Sequence, residues 1–116
     1  MDVEYPGFGT IVVFGRTYDH DVVIENGEVR VRDKGPSKQA KAGSHTPLSA
    51  AEDIPWGKPR LVIGSGYSGS LPILPEVTEA ARSANVTVDI MPTAEACRLL
   101  RSLDPANVNA ILHVTC

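Results

Sequence analysis

Between residues 60 and 69 the sequence runs Arg60-Leu61-Val62-Ile63-Gly64-Ser65-Gly66-Tyr67-Ser68-Gly69, a short apolar run that turns into a glycine-rich loop. Two stretches with apolar residues at intervals of three and four follow, and each leads into a β-branched run. They predict helices that begin at Pro75 and near Thr93, with Thr93 as N-cap, and strands over residues 86–90 and 108–114. This strand–helix–strand–helix–strand unit, residues 58–116, favours a parallel sheet with right-handed crossovers.

The first third of the chain reads differently. Residues 1–32 predict antiparallel strands over 10–14, 17–24 and 29–32, with Asn26-Gly27 as a hairpin turn. Residues 33–47 predict a surface loop, and Ser49 with Glu52 fits a capping box that opens a short helix. The expected fold is therefore a single α/β domain over residues 1–116: a short, mostly parallel sheet with packed helices, plus an N-terminal antiparallel hairpin unit.

Composition narrows the classes of function. The chain has 116 residues and a formal net charge of −3, which argues against a nucleic-acid partner because phosphates require a basic face. No apolar run is long enough to span a membrane, and the first residues lack the order of a signal peptide, so we expect a cytoplasmic protein without membrane contact. Cys97 and Cys116 predict neither a zinc site nor a disulfide framework, and Cys97 reads as a small core residue.

The loop Gly64 to Gly69 matches the dinucleotide pattern G-x-G-x-x-G, and Asp89 follows where a ribose-binding acid would lie. That site requires a helix to begin inside the glycine motif, so that its free N–H groups point at the pyrophosphate. Pro72 is incompatible with such a helix, which we expect to begin only at Pro75. We therefore predict no dinucleotide and no other cofactor, although the clustered N–H groups of the loop could hold a small anion.

Two further groups of residues suggest chemistry. Asp19-His20-Asp21 invites a metal hypothesis, but on one strand His20 would point away from both carboxylates, so we predict no metal site and an exposed, structural role. The basic residues between 30 and 41 predict a solvated loop, with a weak surface for an anionic partner as the alternative. They are Arg30, Arg32, Lys34, Lys38 and Lys41.

In a parallel sheet the carboxyl ends of the strands would bring the glycine loop together with residues of the later strands. The candidate ligand-binding residues are Gly64, Ser65, Gly66, Ser68, Gly69, Thr93 and His113. A serine, His113 and an acid such as Asp89 could act together, but the nucleophile elbow G-x-S-x-G is absent. We therefore predict no catalytic residue and interpret His113 as a core or rim histidine.

Four stretches in this order resemble a known family: residues 7–13, 18–22, 61–69 and 112–116. They are similar to the domain shared by the human adipogenesis-associated protein and a mitochondrial complex I assembly factor, and the resemblance covers nearly the whole chain. It implies a three-layer β+α/β/α fold, no established enzymatic activity, no known cofactor and no ordinary dinucleotide site. Residues 33–44 depart from the family pattern, which puts any partner contact at that stretch in doubt.

Two hypotheses of function follow. The first is a non-catalytic binding or assembly module that acts through a protein partner or through self-association. The alternative is an enzyme that binds a small ligand or anion in the cleft at Gly64–Gly69.

Overall fold

A computed structural model describes residues 1–40 and 46–116. Its strands are β1 (Val3–Gly7), β2 (Thr10–Val13), β3 (Arg16–Tyr18), β4 (Val22–Glu25), β5 (Glu28–Val31), β6 (Arg60–Ser65), β7 (Thr87–Met91) and β8 (Val108–His113). The α-helices are α1 (Pro75–Ser83) and α2 (Thr93–Arg101), and 3-10 helices cover Gly35–Ala40 and Pro105–Asn107.

The strands form two sheets. β1, β2 and β3 make an antiparallel sheet of three strands, and the other five strands are arranged in the order β5-β4-β8-β6-β7. β6 is parallel to both β7 and β8, as the alternating strands and helices predict. The hairpin of β4 and β5 is not a separate unit, because β4 pairs antiparallel with β8 and so extends the parallel core into a mixed sheet.

Apolar side chains cover both faces of the five-stranded sheet. On one face, α2 and the three-stranded sheet contribute to a cluster that includes Val13, Cys97 and Leu100. On the other face, α1 packs through Val77 and Ala81. The three-layer β+α/β/α architecture is therefore confirmed, as are the start of α1 at Pro75 and the core position of Cys97.

The predicted strand over residues 17–24 is wrong. β3 ends at Tyr18 and β4 begins at Val22, and the two strands belong to different sheets. The residues between them form a bend that carries Asp21 into contact with His113 and Arg32. The polar residues 19–21 interrupt the β-branched run at the point where the chain changes sheet.

The helix predicted from Ser49 is also wrong, since residues 49–52 form a turn. The Glu52 side chain makes no capping box because it is buried against Arg32. Arg32 in turn is only 5% exposed, so it does not belong to a solvated basic stretch. The predicted loop 33–47 contains a 3-10 helix, and Lys41 lies outside the described residues.

Candidate functional site

The carboxyl ends of β6, β7 and β8 meet at one edge of the five-stranded sheet. β6 lies between the other two strands, with Gly64 opposite Met91 on one side and Ser65 opposite His113 on the other. The glycine loop, residues 64–69, begins at this edge because β6 ends at Ser65. The structure thus places the loop beside His113, as the sequence predicts.

The Thr93 hydroxyl fastens the glycine loop to β8. Its Oγ1 accepts a hydrogen bond from the Gly66 N–H at 2.8 Å and donates one to the His113 carbonyl oxygen at 2.6 Å. The prediction of Thr93 as N-cap is wrong, because α2 begins at Thr93 itself and Pro92 is the capping residue. Gly64 has no room for a side chain, since a Cβ there would lie 2.9 Å from the Thr93 hydroxyl oxygen.

The outer part of the glycine loop closes over the residues that follow β8. The Tyr67 N–H donates to the Thr115 carbonyl oxygen at 2.7 Å, and the Ser70 N–H donates to Cys116 O at 2.9 Å. Gly66 has a φ of 104°, and a Cβ there would lie 2.6 Å from each of these two oxygens. An anion bound by these N–H groups would have to displace the chain's own oxygens.

The remaining predicted site residues divide by burial. Ser65, Thr93 and His113 are buried, whereas Ser68 and Gly69 are exposed at the outer end of the loop. The buried members lie where the loop, α2 and β8 meet, and the Thr93 hydroxyl links these elements. Ligand binding by the loop stays a prediction.

Asp89 does not join this group. Its Oδ2 lies 2.6 Å from the Nε of Arg60, and the pair is partly exposed. Asp89 stands opposite Val62, two residues before the strand reaches the loop at Gly64. The carboxylate that meets His113 is instead that of Asp21.

Asp21 is bonded on both carboxylate oxygens. Oδ2 lies 2.8 Å from Nδ1 of His113 and 2.9 Å from Nη1 of Arg32, and Oδ1 accepts the Val114 N–H at 2.9 Å. Burial alone would raise the pKa of Asp21, but these bonds lower it to about 2. The carboxylate is therefore ionised at neutral pH and can only accept hydrogen bonds.

Arg32 links Asp21 to a second carboxylate. Its Nε and Nη2 bind the two oxygens of Glu52 at 2.8 and 2.9 Å, a two-point contact between planar groups. Burial opposes the charged form, yet the bonds to Glu52 and Asp21 raise the pKa of Arg32. We call these three side chains, together with His113, the Asp21 cluster.

A cavity of about 280 Å³ opens beside the Asp21 cluster. Asp19, His20, Val31, Lys34 and Thr115 contribute to its lining. Asp21 and Arg32 also line the cavity, and the Thr115 Oγ1 lies 3.3 Å from Nε2 of His113, so this hydroxyl connects the cavity to the histidine. The sequence singled out Asp21 but predicted an exposed position for it. The break in the β-branched run at residues 19–21 was the available signal that Asp21 does not belong to a continuous strand.

A second feature adjoins the glycine loop on the outside. Phe8 and Tyr67 are 59% and 61% exposed, and their rings meet edge to face with centroids 6.2 Å apart. The half-buried Tyr5 ring lies 6.5 Å from that of Tyr67. We call Tyr5, Phe8 and Tyr67 the aromatic surface.

The described residues also bear on two other classes of site. Within residues 1–40 and 46–116, no group of three or more His, Cys, Asp and Glu side chains could hold a metal ion. In that same part of the chain, no helix has the length and apolar character needed to cross a membrane.

The layers and the closed loop define an α/β protein of the three-layer type without an open dinucleotide site. The chain belongs to a family of proteins of unknown function, DUF498/DUF598, whose model matches residues 3–113. It is similar to the conserved hypothetical protein PH1505 from Pyrococcus horikoshii OT3, with 32% identity over all of both chains and a TM-score of 0.84. A second solved structure, MT938, is 28% identical over 99% of this chain and all of its own, with a TM-score of 0.75. No curated protein matches the chain.

Proposed function

We propose that the chain is a binding or assembly module that acts through protein contact, either with a second copy or with a partner protein. The observation that carries this proposal is the aromatic surface. The sequence has six aromatic residues among its 116 (one Trp, three Tyr and two Phe), so two neighbouring rings that are both more than half exposed are conspicuous. Adjacent exposed apolar side chains mark interaction sites, and tyrosine is enriched among residues that dominate binding energy.

The backbone around the aromatic surface is held in place before any partner arrives. The Gly9 N–H donates to the Val114 carbonyl oxygen at 2.8 Å, and the Tyr5 hydroxyl donates to the same oxygen at 2.6 Å. The Tyr67 N–H is bonded to the Thr115 carbonyl oxygen, as described above. A surface whose backbone is already fixed loses less entropy on binding, which favours association.

The resemblance to the adipogenesis-associated protein and the complex I assembly factor supports the same class of function, because those relatives act in assembly or regulation. A net charge of −3 suits a protein partner better than a nucleic acid. We propose the cytoplasm as the compartment.

Light scattering of the purified protein across a concentration series tests the proposal. The double variant Phe8→Ala/Tyr67→Ala should weaken self-association about tenfold or more, because it removes both exposed rings. Phe14→Ala is the matched control, since Phe14 is also exposed, at 43%, but lies in the turn between β2 and β3. Melting temperatures of all variants should stay close to that of the wild type.

If the wild type is monomeric, the proposal is tested by a pull-down from the source cells, which identifies the partner proteins that each variant captures. The double variant should then lose a partner that Phe14→Ala retains. If the wild type is monomeric and the double variant retains every partner that the wild type captures, the proposal is contradicted.

A further inference from the structure

Thr115, His113 and Asp21 form a hydrogen-bonded relay. Because Asp21 is ionised and only accepts, the His113 Nδ1 at 2.8 Å must carry the ring proton and donate it. In the neutral ring Nε2 is then an acceptor, and the neighbouring hydroxyl at 3.3 Å is that of Thr115. The hydroxyl therefore donates to the histidine, which is the order that activates a nucleophile.

The relay has access to space for a small molecule. Thr115 is half-buried and lines the cavity of about 280 Å³, whereas the His113 ring is 9% exposed behind it. Lys34, an exposed residue of the same lining, supplies a cation at the cavity. A hydroxyl at the cavity wall, a base behind it and a cation in the lining are groups that acyl transfer uses.

We propose that Thr115 is the nucleophile of an acyl-transfer site for small carboxylic esters, with His113 as general base. The Thr115 Oγ1 forms a bond to the acyl carbon as its proton passes to His113 Nε2. The bond from the acyl carbon to the leaving oxygen breaks, and that oxygen takes the proton from Nε2. Water then attacks the acyl-threonine, gives its proton to Nε2, and the carboxylic acid leaves as Thr115 regains its proton.

Asp21 is the positioning residue of this site. Its contacts with the Val114 N–H and Arg32, both at 2.9 Å, fix the carboxylate and therefore the ring that it orients. The site does not include the aromatic surface, so the proposal goes beyond the proposed function and does not depend on it.

p-Nitrophenyl acetate is the probe for the experiment, with release of nitrophenolate and mass spectrometry of the intact and digested protein as readouts. All proteins carry Cys116→Ser, because the free thiol next to Thr115 would itself react with the ester. Acetyl label should appear on Thr115, and Thr115→Val should lose it and release nitrophenolate roughly a hundredfold more slowly. Thr115→Ser should keep both.

Thr78→Val is the control, because Thr78 is an exposed threonine on α1. It should behave as the Cys116→Ser protein does. Equal rates in Thr115→Val and Thr78→Val, or label only on residues other than Thr115, would overturn the proposal.

The kcat and KM of nitrophenolate release separate the positioning role of Asp21 from a structural one. Asp21→Asn replaces the anion that orients the His113 ring by a neutral amide, so kcat should fall roughly a hundredfold with little change in KM. An Asp21→Asn protein whose kcat matches that of the Cys116→Ser protein, or whose KM rises as much as its kcat falls, overturns the role of Asp21.

Discussion

The glycine loop and the Asp21 cluster lie at the same edge of the sheet, and both contact the residues that follow β8. The N–H groups of Tyr67 in the loop and of Ser70 just after it bind the Thr115 and Cys116 oxygens, and the Gly66 N–H binds Thr93, so the chain itself occupies these donors. The Asp21 cluster also binds this segment, through the Val114 N–H, yet a cavity remains beside it.

The difference shows why a glycine pattern is weak evidence for a ligand site. Clustered N–H groups bind an anion only when no oxygen of the protein already occupies their focus. In this chain the conspicuous motif serves the fold, and the open cavity adjoins residues that no motif singles out as a set.

The largest expected effect comes from a substitution that breaks the Asp21 cluster. Arg32→Met keeps much of the side chain's volume but leaves the Asp21 and Glu52 carboxylates buried without their cation. We expect a loss of about 3 to 5 kcal/mol in the free energy of unfolding, measured by urea denaturation. Arg30→Met is the matched control, because the Arg30 side chain is 33% exposed and its ion pairs lie at the surface; it should cost about 1 kcal/mol or less. Equal losses in both variants would show that the cluster does not depend on Arg32.

The second-largest effect is expected from a substitution that tests whether the chain itself closes the glycine loop. Gly66→Ala introduces a Cβ at a φ of 104° and in collision with the Thr115 and Cys116 oxygens, so we expect a loss of about 3 kcal/mol. Gly9→Ala is the control because Gly9 has a similar φ of 92° with nothing within 4 Å of the added carbon. It should lose about 1 to 2 kcal/mol from backbone strain alone. A Gly66 variant no less stable than the Gly9 variant would mean that the loop is free to open.

The sequence predicted the second half of the fold well, because the information there is local. The apolar stripe after Pro75 specifies a helix whatever it packs against, and the proline itself marks where that helix begins. The position of the glycine loop beside His113 followed from the same strand order, since parallel strands end at one edge.

The Asp21 cluster could not be predicted in this way. Arg32, Glu52 and His113 come from three separated segments, and each had a plausible local explanation. Glu52 looked like half of a capping box with Ser49, but a buried guanidinium binds a carboxylate more strongly than a helix terminus does. Only the interruption of the β-branched run at residues 19–21 gave a local sign of the cluster.

The smallest effect concerns the charge of Asp21. Burial raises its pKa, but the bonds from His113, Val114 and Arg32 lower it from an ordinary 3.8 to about 2. Because the folded protein binds this proton less readily than the unfolded chain, the stabilisation is fully present above about pH 4 to 5 and is lost as the pH falls through about 2. The contribution is about 2 kcal/mol, so wild-type unfolding free energies measured by urea denaturation across this range should fall by that much more than those of Asp21→Asn. Asp19→Asn is the control, because it also removes one carboxylate, close to Asp21 in the sequence. If the unfolding free energies of the wild type and Asp21→Asn fall in parallel with pH, Asp21 is not held as the cluster geometry requires.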